Sequence, residues 1–202
     1  MVNLLWNIRH DWFNLTLLPP VLYLNIYYLL VDRGTYERQF HAFFGYLLLD
    51  TLWLLLIPQS VASPITIILH HLVCLVGWSV PQFNGNLYAE YLSLGVVVEV
   101  NTWLLIARRN FKQSWLLNYL FFASWVAIRL VMYPVVLVLF ASQYVHSQTS
   151  THWAQPWDSR LLVVLLMVLI NALNFQWSAD LLRKTFPPKG AKKGERDGGR
   201  GL

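Results

Sequence analysis

Apolar residues recur along the chain in long runs separated by short polar stretches, with none of the strict alternation that marks half-buried strands. Six such runs cover approximately residues 15–31, 41–57, 63–80, 88–107, 115–141 and 161–182. As helices rising 1.5 Å per residue, runs of roughly 17 to 25 residues match the ~30 Å hydrocarbon core of a bilayer. The breaks carry turn residues: Asp32-Arg33-Gly34, Pro58-Gln59-Ser60, Pro81 to Asn86, and the polar run Ser142 to Ser159. The pattern predicts an all-α fold, a polytopic membrane helix bundle of about six transmembrane helices. Residues 1–14 read as a short cytosolic N-terminus and 15–182 as the transmembrane domain. Residues 183–202, rich in Gly, Pro and charge, read as a disordered basic cytosolic tail.

Composition agrees: of 202 residues, 56% are hydrophobic and only 12% charged, and the mean hydropathy is +0.45. Charge adds an orientation. With both termini in the cytosol, that side holds eleven of the fifteen Lys and Arg, while Arg33, Arg38 and Arg160 lie opposite and Arg129 falls inside a run. The net charge of +5 then describes a basic cytoplasmic face attractive to anionic lipid, and nucleic acid is not an expected partner. Arg9, His10 and Asp11 precede the first run and no small-residue cleavage site follows it, so that run reads as a retained helix. The sequon Asn14-Leu15-Thr16 falls beside the bilayer on the cytosolic side and is expected to be unmodified. Cys74, the single cysteine, excludes an intrachain disulfide and reads as a packing residue.

The runs contain a few polar residues, and these cost most where nothing pairs them: about 2.5 to 3.5 kcal/mol for a charged group at the bilayer centre. Counted from the cytosolic ends, Asp50, His70-His71, Glu99 and Asn174 fall at one depth, roughly 10 to 12 Å in at 1.5 Å per residue. Four helices thus contribute to one polar layer, whereas the outer halves offer little to line a path across. The short loop after residue 57 makes a hairpin in which Asp50 reaches His70 or His71, and a carboxylate beside an imidazole fixes its tautomer and raises its basicity. Arg129 lies deeper, between Trp125 and Tyr133 on one helical face, and Glu99 is its nearest candidate partner.

A structural reading of the same residues stands beside the chemical one. Adjacent histidines point about 100° apart on a helix, so one of them can simply bond a neighbouring helix. Asp50 and a Glu99/Arg129 pair can hold helices together, and Asn171, Asn174 and Trp177 share a face suited to interhelical contact. The six histidines include no pair at ligating spacing within the runs, so no metal is assigned. Walker, Gly-x-Ser-x-Gly and dinucleotide motifs are absent, and no cofactor is expected.

The runs GYLLLDTLW (45–53) and ILHHLVCLVG (68–77), with the short Pro-containing loop between them, resemble the core of the TLC-domain family. That family contains ceramide synthases, translocating-chain-associating proteins and small TLC-domain-containing proteins, and the last are the nearest in kind. EVNTWLLIARR (99–109), FFASWVAIRL (121–130) and NALNFQW (171–177) extend the resemblance over about residues 40–185. It implies a helix bundle around a membrane-open cavity for a lipid or acyl chain, in an endomembrane such as the endoplasmic reticulum. Carried over, His70 and His71 take the positions of the synthases' paired histidines, which serve acyl transfer from acyl-CoA to a sphingoid amine. The chain has Val98-Glu99 and Thr102 where the synthases have His-Asp and a second Asp. The expected catalytic set is His70, His71, Asp50 and Glu99; Arg129, Asn174, Trp125 and Trp177 are the expected lipid-binding set. Expected partners are membrane lipids, with acyl-CoA as a co-substrate if acyl transfer occurs. The competing expectation is a non-catalytic scaffold, lipid sensor or cargo-binding protein.

Overall fold

A computed structural model describes residues 2–83, 88–111, 114–150 and 159–185. Among them the chain forms α1 (Val2–Leu30), α2 (Tyr36–Leu56), α3 (Pro64–Phe83), α4 (Ala89–Val96), α5 (Val98–Asn110) and α6 (Trp115–Ser124). A π-helical segment (Trp125–Met132) then leads into α7 (Tyr133–Ser150), and α8 (Ser159–Thr185) closes the bundle. No strand occurs among the described residues. Helices α4 and α5 form one passage, and α6, the π segment and α7 another, so the bundle has six passages. Five are long and apolar enough to cross a membrane; α3, apolar over Pro64–Val80, is the shorter sixth. Leu30, Leu49, Leu56, Ile65, Val138 and Leu165 are exposed, as lipid-facing side chains must be where the solvent is hydrocarbon. The chain is a multi-pass membrane protein.

Helix α1 packs on α2 and α5, α2 on α3, α3 on α8, and α8 on α7. At one end Asp11 accepts from Arg109 and Asn110, and at the other Arg33 pairs with Glu90 at 3.5 Å, which fixes α1 antiparallel to the α4–α5 passage. Aromatic rings fill the interior, with Phe43 and Trp78 centroids 4.8 Å apart and Tyr36 stacked on Trp78.

Three elements extend beyond their apolar runs or bend within them. Helix α1 begins at Val2, because His10, Asp11 and Asn14 find partners on other helices and need not stay in water. Helix α7 continues through Ser142 to Ser150, into the stretch whose polarity reads as loop. The fourth passage breaks at Val97, where 3₁₀-type bonds run from Val97 N to Leu94 O and from Val100 N to Val97 O, and the Tyr133 hydroxyl donates to Gly95 O. Residues 186–202, with most of the expected tail, lie outside the described residues.

The other half of the bundle is also less apolar inside than its sequence suggests. Gln39 Nε2 donates to Asn25 Oδ1 at 2.6 Å, Ser93 Oγ to Gln39 Oε1 at 3.2 Å, and Asn25 Nδ2 to Ser93 O at 3.1 Å. The three side chains are fully buried and close on one another, tying α1, α2 and α4 together without lining a path.

Pro19 and Pro20 sit inside α1. Lacking an amide hydrogen, Pro19 cannot bond the carbonyl four residues back, which is that of Leu15. That carbonyl accepts instead from the Trp103 indole of α5 at 3.3 Å, so a defect in one helix becomes a bond between two. Trp103→Phe is expected to lower stability by about 1 kcal/mol. The loss should shrink in a Pro19→Ala background, where an intrahelical bond supplies the carbonyl. Thermal unfolding in detergent of the two single variants and the double variant checks this.

Candidate functional site

The polar residues of the layer assemble into two groups, one on each side of α3, because His70 and His71 point apart. Their ring centroids are 5.9 Å from each other and each ring meets different helices.

On the α1–α2 side, Asp50 is shared. His10 Nε2 donates to Asp50 Oδ1 at 2.7 Å, while His71 Nε2 lies 3.6 Å from Asp50 Oδ2. Asn14 Nδ2 donates to Asp50 Oδ1 at 3.3 Å and to the His10 carbonyl at 3.1 Å, and its Oδ1 accepts from the Tyr46 hydroxyl at 2.7 Å. The Thr51 hydroxyl donates to Leu47 O at 2.6 Å and meets His71 Nδ1 at 3.1 Å. His10, Asn14, Asp50 and His71 are all buried. The carboxylate thus bonds and orients one imidazole and stands within ion-pair distance of a second.

On the other side stands Arg129, placed by the π-helical segment, a wider turn than the α-helical one and one that recurs at functional sites. Its Nε donates to Asn101 Oδ1 at 3.0 Å and its Nη1 to Asn174 Oδ1 at 2.6 Å. Trp125 and Trp177 cover the guanidinium, with centroids 4.6 and 5.3 Å from Cζ. The Trp125 indole donates to Ser178 Oγ at 2.8 Å. His70 belongs to this side: it meets the edge of Trp177 at a centroid distance of 5.4 Å, and its Nε2 lies 3.8 Å from Cys74 Sγ.

Above this second group an apolar cavity opens between α3, the α4–α5 passage, α7 and α8, with ≈ 630 Å³ of empty space counting the part that opens to the outside. Gly77, Tyr91, Val136, Val163, Leu166 and Met167 are among its walls. Cys74 and Glu99 mark its polar end.

Of the two histidines that the hairpin brings within reach of Asp50, the structure places His71 beside it, and it gathers Arg129, Asn174, Trp125 and Trp177 in the other group. It corrects the pairing of Arg129 with Glu99. The guanidinium bonds two amide oxygens, and no ion pair joins it to Glu99 among the described residues. Asn101 and Glu99 are two residues apart on α5, about 200° around the helix, so the first faces Arg129 and the second the cavity. His70 does not share Asp50 with His71, for the same angular reason. His10, Asn14 and Asn101 are members of the site that the apolar runs conceal. His10 and Asn14 stand four apart and mark one helix face, a signal that becomes readable once α1 is extended to Val2.

A family model described as the TLC domain matches residues 21–183. No curated protein and no solved structure matches the chain.

The Asp50 group should behave as a unit. Asp50→Ala and His10→Ala are each expected to destabilise the bundle, and the double variant to cost less than the sum, with a coupling of about 0.5–3 kcal/mol. A double-mutant cycle of unfolding in micelles measures it. Simple additivity would mean that the 2.7 Å contact is not a stabilising one.

Proposed function

The chain belongs to the TLC-domain family, and from that premise we propose that it holds a membrane lipid by its acyl chain and acts in lipid homeostasis. The observation that supports this is the cavity: apolar along its length, with Cys74 and Glu99 at the end where the polar layer begins. An acyl chain there would replace empty space by van der Waals contact, and its head would lie at the level of His70, Glu99 and Arg129.

The finer reading is His-dependent acyl transfer from acyl-CoA to a sphingoid-type amine. The amine nitrogen attacks the thioester carbonyl, the C–N bond forms, the C–S bond breaks, and the thiolate leaves. The proton lost by the amine passes to an imidazole. His70 is the candidate for that role, since it stands one helical turn from Cys74 on the cavity wall, while His71, held by Asp50 and Thr51, is a positioning residue. The alternative, a non-catalytic scaffold, lipid sensor or cargo-binding protein, draws support from the same contacts. Trp177 on α8 meets His70, and Asp50 and Thr51 on α2 meet His71, so both imidazoles are held between helices as structural contacts are. Cytosolic termini fit the basic end of the bundle, which carries Arg9, Arg108, Arg109 and Arg183, and an endoplasmic reticulum location is what the family membership suggests.

Two measurements test these readings. A β-carbon at Gly77 meets Leu166 Cδ1 at 3.6 Å, an ordinary contact, so Gly77→Ala is expected to fold and to retain co-purified lipid. Gly77→Phe fills the cavity and should lose that lipid, as read by mass spectrometry of the purified protein. In cells lacking the protein, the wild type should restore one lipid class, and a His70→Ala variant at matched membrane abundance should fail to do so. Equal restoration by both removes acyl transfer and leaves the non-catalytic reading.

A further inference from the structure

The Arg129 group holds more hydrogen-bond donors than acceptors. A guanidinium has five N–H donors and no acceptor, and it stays charged when buried. Two of the five are matched, by Asn101 Oδ1 and Asn174 Oδ1. Those bonds also fix the amide of Asn174: because the oxygen must face the guanidinium, the NH₂ group points away, and Nδ2 is buried with no partner. Asn174 is 1% exposed and Arg129 7%. Asn101 cannot relieve the excess, since its own Nδ2 donates to Phe121 O and Ser124 Oγ at 3.2 and 3.0 Å. An orphaned amide donor beside a buried cation that bonds no carboxylate among the described residues, with Glu99 acting on it only from a distance, asks for an oxyanion.

The apolar cavity adjoins the group. Met132 and Tyr133, on its wall, follow Arg129 by three and four residues; Ile170, also on the wall, precedes Asn174 by four. The cavity wall therefore continues along the same two helices, beginning about one turn from Arg129 and Asn174. Trp125 and Trp177 cover the guanidinium faces, so its N–H edge is what remains to be met.

We propose that Arg129 and Asn174 bind the oxyanion of a single-chain acidic lipid, a fatty carboxylate, whose chain lies in the cavity. This rests on the reading of the cavity as an acyl-chain site. Glu99, on the same wall, opposes the anion and sets a limit on its affinity.

The test is equilibrium binding of radiolabelled oleate, oleyl alcohol and 1-oleoyl-lysophosphatidate to the full chain in phosphatidylcholine nanodiscs. Oleate is expected to bind at least about tenfold tighter than the alcohol, which is a difference of 1.4 kcal/mol. Asn174→Asp keeps the shape of the side chain and gives Arg129 its own carboxylate, so oleate should fall to the level of the alcohol while alcohol binding persists. Glu99→Gln removes the opposing charge and should tighten oleate severalfold, an effect that a purely structural Arg129 would not produce. Oleate and alcohol binding alike to the wild type, or an Asn174→Asp variant that keeps the preference, overturns the oxyanion site and leaves the cavity reading standing. Binding of none of the three probes removes the cavity reading itself. Tighter binding of lysophosphatidate than of oleate overturns the carboxylate and assigns the oxyanion to a headgroup phosphate.

Discussion

The arrangement of α1, α2 and α3 depends on how one carboxylate is satisfied away from water. Asp50 is 3% exposed, and with His10, Asn14 and His71 around it two other helices meet at its two oxygens. Leaving such a group unpaired in hydrocarbon would cost several kcal/mol, so the three helices have little freedom to slide or rotate about it. Apolar packing alone would not impose this, because lipid tails are as good a solvent for leucine as another helix is. The Asn25–Gln39–Ser93 triangle does the same toward the opposite end of the bundle, for α1, α2 and α4. Helix α1 takes part in both, which is why it can carry two internal prolines and still hold its place.

The consequence for chemistry lies in the division made by α3. Its adjacent histidines serve two neighbourhoods: His71 one rich in proton carriers, His70 one dominated by a guanidinium, two indoles and an apolar cavity. The cavity, with Cys74 and Glu99 on its wall, lies on the side of the second, and α3 stands between it and the first. The two neighbourhoods are mechanically coupled all the same, since rotating α3 to release one imidazole displaces the other.

The number of passages was legible in the sequence because it follows from long apolar runs and the 1.5 Å rise. That Asp50 comes within reach of one of the two histidines was legible from a short loop and an antiparallel hairpin; that it is His71 was not. The extent of α1 was not, since the residues that carry it past its apolar run are polar ones whose partners lie on α2 and α5. Nor was the partner of Arg129. Spacing brings Glu99 to the right depth, but the side of α5 that faces Arg129 carries Asn101, and which side faces inward is decided by packing with α6 and the π segment.

The π-helical segment has one more effect. Each wide turn accommodates a residue more than an α-helical turn would, so everything after it is set back by about 100° per added residue relative to a continuous α-helix. Tyr133, whose hydroxyl reaches Gly95, and Val136, on the cavity wall, occupy their places because of that offset. The segment acts as a phase shift within one membrane passage. Helix α6 and helix α7 are therefore independent in which stripe they turn to lipid and which to the interior, although they share a single axis of sequence.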